Sequence, residues 1–229
     1  MPGRPEAPSR TPAAARPVPR RMPERYSVRG QILDALRNSL VGGELVPGEV
    51  YSAPVLAERY GVSATPVREA MQQLVTEGAV EAVPNRGFRV ARRSERELTE
   101  LAEVRALIEV PVLLRLARTV PAEQWHGLRP LADETAAAAM AGDRAGYADL
   151  DRAFHRAVLS LGGNQQLVAV ADELHRRAQW PVVRQQIGRT SRAADLLADA
   201  AEHAALLDAL VDGDLMIVES LVREHFLGA

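Results

Sequence analysis

Asp151 and His155 stand four residues apart, so on a helix both side chains leave one face and can reach a single ion. His203 and His225 follow in later segments, and the apolar periodicity around each turns it inward. One carboxylate and three imidazoles are a donor set suited to zinc, nickel or another divalent ion. Helical bundles build such sites from facing side chains. Taken alone, a histidine on an apolar helix face is more often a satisfied core residue than a ligand, and spacing by itself leaves that bland reading ahead.

A second constellation is basic. Ser63, Thr65 and Arg68 open a segment with helical periodicity. Ser63 and Thr65 can donate to phosphates, together with the free amides of a helix N-terminus. Arg68, one turn in, can grip guanine with two hydrogen bonds. Asn85, Arg86 and Gly87 lie downstream with Arg89 and Arg92 nearby, a narrow basic tip suited to phosphates or a minor groove. A lone arginine on a helix would read as a solvated face; here several elements agree in order and spacing.

Those elements are legible around the two constellations. Val28, Ile32, Leu36 and Leu40 recur at helical spacing until Gly42-Gly43. A turn at Pro47-Gly48 leads to a short strand around Val50-Tyr51. Ser52 caps a helix with Pro54 in its first turn, ending at Tyr60-Gly61. Ser63 caps the next helix, whose apolar face is Val67, Met71, Leu74 and Val75 and which Gly78 ends. Two β-prone runs, 80–83 and 88–90, flank Pro84-Asn85-Arg86-Gly87 as a hairpin. Helix, helix, tight turn, helix, hairpin is the order of a winged helix-turn-helix, which sets its second motif helix in the major groove.

Beyond Ser94 the pattern is helical throughout. Ser94 and Glu97 form a capping box. The helix they open is expected to reach about Arg118, kinked at Pro111, and further helices are expected over 121–141, 144–161, 165–187, 192–211 and 215–226. Asp143 and Asp214 are the expected N-caps. The fold class is therefore mainly α: an N-terminal winged helix-turn-helix and a C-terminal antiparallel all-α bundle of six or seven helices. The domains read as a disordered Pro/Arg-rich arm over 1–25, a winged domain over 26–92 and a bundle over 93–229. The arm holds seven prolines and little that could be buried.

Composition narrows the class. The chain has 229 residues, 47% of them apolar, enough for two ordinary domains with cores. It has no cysteine, which excludes disulfides and thiolate metal sites. Every basic residue is arginine, and the net charge of −2 confines any nucleic-acid contact to a local basic surface. No apolar run approaches the ~20 residues a membrane span needs, and no secretory leader is visible; the expected location is the cytoplasm.

The ordered run Pro47-Gly48-Glu49, Leu56-Ala57-Glu58, Gly61-Val62-Ser63, Thr65-Pro66-Val67-Arg68-Glu69-Ala70, Leu74, Glu77-Gly78 and Arg86-Gly87 resembles the GntR family of bacterial regulators over residues 27–90. Ala64 departs from it, because the family commonly carries arginine or another long polar residue there. Alanine can touch a thymine methyl but cannot hydrogen-bond a base, so the usual operator consensus is not expected.

Residues 94–229 resemble the FCD domain, the ligand-binding bundle of the FadR subgroup. The matching pieces are Glu103-Val104-Arg105 with Glu109, Asp151-x-x-Phe154-His155, Gly163-Asn164, Glu202-His203 and Arg223-Glu224-His225. The resemblance implies that Asp151, His155, His203 and His225 ligate a divalent metal, zinc first, with nickel or another ion as alternatives. It makes an acyl-CoA effector less expected. It also implies that Arg105 holds a small carboxylate effector near the metal; the competing reading is a helix-surface pair between Arg105 and Glu109. Arg176, Arg177 and Arg184 are further pocket candidates. His126 and His175 fall outside the pattern and are expected to be solvated or partly packed, without a role.

The function expected is that of an effector-responsive repressor, a homodimer placing one winged domain on each half of an inverted-repeat DNA operator, with no enzymatic activity and no membrane association. The alternative is a helical metalloenzyme. That would need an open coordination position and a general base, and no motif places such a base.

Overall fold

The computed structural model describes residues 28–180 and 189–227; the expected arm over 1–25 lies outside them. The chain begins with α1 (Val28–Val41), β1 (Val50–Tyr51), α2 (Ala53–Tyr60) and α3 (Ala64–Thr76), followed by β2 (Val80–Val83) and β3 (Gly87–Val90). The strands form one antiparallel sheet in the order β1-β3-β2. Leu36, Leu40, Leu45, Leu56, Val67, Met71 and Leu74 bury the contact between α1, α2 and α3.

Local chemistry explains the boundaries. The Ser52 side chain accepts from Val55 N at the start of α2. Ser63 sits at the N-cap of α3 but makes no side-chain cap bond, so its hydroxyl is not consumed by the helix. Gly87 has φ 125°, and a Cβ there would run into the Tyr51 carbonyl, so only glycine lets β1 lie against the wing.

The second part of the chain is α4 (Glu95–Thr119), α5 (Ala122–His126), α6 (Arg129–Ala141), α7 (Arg144–Ser160), α8 (Gln165–Ala178), α9 (Arg189–Asp212) and α10 (Leu215–Leu227). These are seven helices among the described residues, the larger of the two numbers expected. The difference comes from 121–141, expected as one helix and found as two. Pro130 has no N–H to continue a helix past Gly127, and it is accommodated at the first turn of a new one. α4 runs through Pro111 without ending. α8 stops at Ala178, and the rest of the helix expected to reach residue 187 lies outside the described residues. The Ser94–Glu97 capping box forms in full, and Asp143 caps α7 through Gly146 N.

The bundle core gathers Leu113, Leu116, Trp125, Phe154, Leu207, Val218 and Val222. Helix α1 packs against α7 across the division, and the end of α8 reaches over it as well. Trp180, just past α8, is buried in the cluster of the winged part, not the bundle. No described helix is long and apolar enough to cross a membrane.

Candidate DNA-reading face and candidate metal centre

α3 buries Val67, Ala70, Met71 and Leu74 and turns the other side of its first turns outward. Ser63, Thr65 and Arg68 are all exposed there. At the wing tip Asn85 takes the left-handed conformation, φ 60°, which asparagine tolerates better than most residues. Asn85 and Arg86 are exposed and Gly87 is half-buried. Arg68 and Arg86 form no ion pair among the described residues, whereas Arg89 lies 3.8 Å from Glu81. Two free guanidinium groups and an open helix N-terminus suit a polyanion.

The far end of α3 is tied down. Glu77, its C-cap, is buried and accepts from Arg37 through both oxygens and from Gln73 Nε2 at 3.2 Å.

Inside the bundle, α7, α9 and α10 bring Asp151, His155, His203 and His225 together. The histidine nitrogens of His155, His203 and His225 lie within 4.8 Å of one another. His225 Nδ1 sits 2.7 Å from Glu202 Oε2, and His155 Nδ1 faces Glu109 Oε2 at 3.3 Å. A ring nitrogen against a carboxylate carries the proton. Both Nε2 atoms then present lone pairs, and they face each other at 3.2 Å. His203 is buried with neither nitrogen hydrogen-bonded, and its Nε2 lies 3.4 Å from Asp151 Oδ1. His155 Nε2 lies 3.7 Å from the same oxygen. Opposed lone pairs and an orphaned buried nitrogen beside an ionised carboxylate fit a shared cation.

The electrostatics agree with the chemistry of ligands. Burial pushes His155 down to about 3 and His203 down to about 4, so both are neutral near pH 7, the form that binds metal. Burial opposes ionisation of Asp151, but the adjoining His175, with His155 and His203, holds its carboxyl well below the usual range. Glu109 is likewise buried, yet His155 and Arg105 beside it bring it to about 2.

Two residues depart from expectation. His175 is neither solvated nor loosely packed: it is 3% exposed, its Nε2 is 2.7 Å from Asp151 Oδ2, and its Nδ1 is 3.0 Å from Arg105 Nη2. Arginine cannot accept, so Nδ1 accepts from Arg105 and Nε2–H donates to Asp151. The signal was present: Val168, Ala171 and His175 make the buried face of α8 at helical spacing. Arg105 does pair with Glu109, Nε to Oε1 at 2.9 Å, but not on the surface. Its guanidinium lies over the Phe226 ring, 5.1 Å from the centroid. His126 is exposed, as expected. Arg176 turns from the cluster to Glu173 and Glu77, and Arg184 lies outside the described residues.

A winged helix-turn-helix with an open basic helix end, joined to a helical bundle with a polar centre, defines a DNA-binding transcriptional regulator. Comparison with known proteins places it further. Residues 29–90 match the bacterial regulatory proteins of the gntR family, and residues 100–228 match the FCD domain. The chain belongs to the GntR family, in the branch that carries an FCD domain. It is 29% identical to the HTH-type transcriptional repressor GlaR of Escherichia coli over 84% of this chain and 89% of that one. It is 28% identical to a probable D-xylose utilization operon transcriptional repressor of Paenarthrobacter nicotinovorans, over 88% and 86%. Its fold is shared with E. coli McbR/YncC, TM-score 0.68 at 24% identity over 88% of this chain and 94% of that one. A putative GntR regulator from Rhodococcus sp. RHA1 gives a TM-score of 0.65 at 21% identity, over 86% and 93%. The family and these relatives are regulators, not enzymes, and the metalloenzyme alternative finds no support.

Proposed function

We propose that the protein is a ligand-responsive repressor that binds an inverted-repeat operator as a homodimer and is controlled through a metal-centred pocket in its bundle. The chain divides near residue 92 into the two working parts. The observation that carries the reading is the meeting of the His155, His203 and His225 nitrogens, with Asp151 Oδ1 3.4 Å from His203 and 3.7 Å from His155, in a buried centre of a chain whose family binds DNA. Zinc suits three imidazoles and one carboxylate, with nickel as the next candidate. Bound there, the ion would supply a Lewis-acidic point that an anionic ligand can occupy.

Ser63, Thr65 and Arg68 would read the operator, with Asn85, Arg86 and Gly87 at the wing. Ala64 leaves Arg68 as the main base-reading side chain of the first turns. Arg105 supplies the cation for a small carboxylate effector: Glu109 takes its Nε and His175 one Nη, and the guanidinium has further donors to offer. The dimer is supported by apolar side chains left in water, Leu107 at 78% exposure on α4 and Met216 at 84% on α10. The repressor sense is supported by relatives that bear that description.

The test is selection of genomic DNA fragments on the full-length protein at low salt. The expected result is enrichment of a fragment with an inverted repeat, protected on both halves and released when Arg68 becomes alanine. Absence of any retained fragment, or retention indifferent to Arg68, would sink the DNA-reading assignment.

A further inference from the structure

Helix α8 touches both working parts with adjacent residues. His175 joins Asp151 and Arg105 through its two ring nitrogens. The next residue, Arg176, places Nη1 3.6 Å from Glu77 Oε1, the buried cap of the recognition helix. Arg176 is braced on its own helix by Glu173 at 2.6 Å and Asp172 at 3.6 Å. Trp180, just past the end of α8, lies at 3% exposure in the core that α3 packs into. Gln179 adds a second anchor on the bundle side, donating to Ala148 O at 2.7 Å and to Asp151 Oδ2 at 3.1 Å.

We propose that His175 is a positioning residue of the pocket and the sensing end of α8, which carries the state of the pocket to the recognition helix through Arg176 and Trp180. The proposal rests on the metal-centred reading above. His175 fixes Oδ2 of Asp151, so that Oδ1 is the oxygen left facing His155 and His203. Holding a ligand carboxylate in this way is the usual office of a histidine or carboxylate behind a metal site. The other ring nitrogen is satisfied by the arginine that faces an acidic effector. An ion drawing on Asp151, or an anion drawing on Arg105, therefore pulls on one of the two partners of the same imidazole.

The consequence follows from packing. A buried imidazole that loses a partner is costly, so His175 moves with the partner it keeps, and α8 moves with His175. The helix cannot shift without dragging Trp180 in a close-packed core or stretching Arg176 from Glu77. Glu77 caps α3, so the orientation of Ser63, Thr65 and Arg68 is biased by the pocket. The coupling is reciprocal: DNA that prefers one orientation of α3 changes metal affinity by the same factor.

The experiment uses full-length protein labelled with 5-fluorotryptophan, whose two tryptophans, Trp125 and Trp180, give separate fluorine resonances assigned with Trp125→Phe. The probe is Zn2+ alone. In the parent, binding of Zn2+ should shift the Trp180 resonance. His175→Ala should weaken Zn2+ binding about 10- to 100-fold and abolish the Trp180 shift at saturation. His175→Gln, which keeps an N–H donor and an acceptor, should restore much of both. Arg176→Gln should leave Zn2+ affinity near the parent value and reduce the shift, and it keeps the test alive if His175→Ala fails to fold. Parent-like affinity and an unaltered shift in His175→Ala would overturn the proposal while sparing the metal centre. Absence of Zn2+ binding in the parent would overturn the metal-centred reading and this proposal with it.

Discussion

Replacing Glu109 by glutamine keeps volume and shape while removing one charge, at a residue 1% exposed. Glu109 faces two groups at once: Oε1 accepts from Arg105 Nε at 2.9 Å, and Oε2, which accepts no hydrogen bond, lies 3.3 Å from His155 Nδ1. An amide cannot satisfy both. With its oxygen toward Arg105, its NH2 faces His155 Nδ1 and favours the tautomer protonated on Nε2, which puts a proton where an ion would bind. With its oxygen toward His155, its NH2 confronts the arginine donors. Loss of such a supporting carboxylate costs about 10- to 100-fold in metal affinity, or roughly 1.4–2.7 kcal/mol. The assay is competition for Zn2+ against a chelator of known affinity, with thermal unfolding in parallel because the Arg105 pair is also weakened. Zn2+ affinity within about threefold of the parent, in a folded variant, would refute the assigned tautomers and the role given to Glu109.

Arg68→Ala should weaken binding of the selected operator by about 1–3 kcal/mol if the guanidinium takes a guanine bidentately, measured by fluorescence anisotropy at fixed salt; an unchanged affinity removes Arg68 from the reading face. Gly87→Ala should lower the thermal midpoint and DNA affinity together, since the new Cβ meets the Tyr51 carbonyl; a parent-like melting curve would show the wing to be looser than described. In metal-free protein the folded forms of His155 and His203 titrate near 3 and 4, below the unfolded value of about 6.5. The unfolded chain therefore binds more protons between those limits, and stability present above pH 6.5 is lost as pH falls towards 3. The unfolding free energy from urea titrations should drop between pH 7.5 and 4.5 by an amount on the order of a few kcal/mol, and less in His203→Ala; equal free energies would mean that the imidazoles are hydrated. Leu107→Glu should move the protein towards monomer in light scattering, while an unaltered mass would place the dimer surface elsewhere.

Local signals carried most of the fold. Ser52, the Ser94–Glu97 box and Asp143 act within one helical turn, and each helix start they marked is found. The break at Gly127 escaped because Ala, Leu and Trp continue the apolar pattern across it, and only Pro130 announced a new helix. Asp151, His155, His203 and His225 were legible through periodicity and family resemblance. His175 was not, because its role depends on where α8 lies against α4 and α7. A burial pattern names the face of a helix but not the carboxylate opposite it. Arg105 shows the same limit: an i, i+4 pair with Glu109 looks the same in sequence whether it lies in water or at the buried edge of the centre. Trp180 is the clearest case, an aromatic residue beyond a bundle helix that completes the core of the other part.

Metal content per chain tests the central claim most directly. Native mass spectrometry and elemental analysis of protein purified without chelator should find one divalent ion per chain, retained in the exposed-site control His126→Ala and absent from the double variant His203→Ala, His225→Ala. A metal-free parent, or metal content indifferent to those two histidines, would contradict the account.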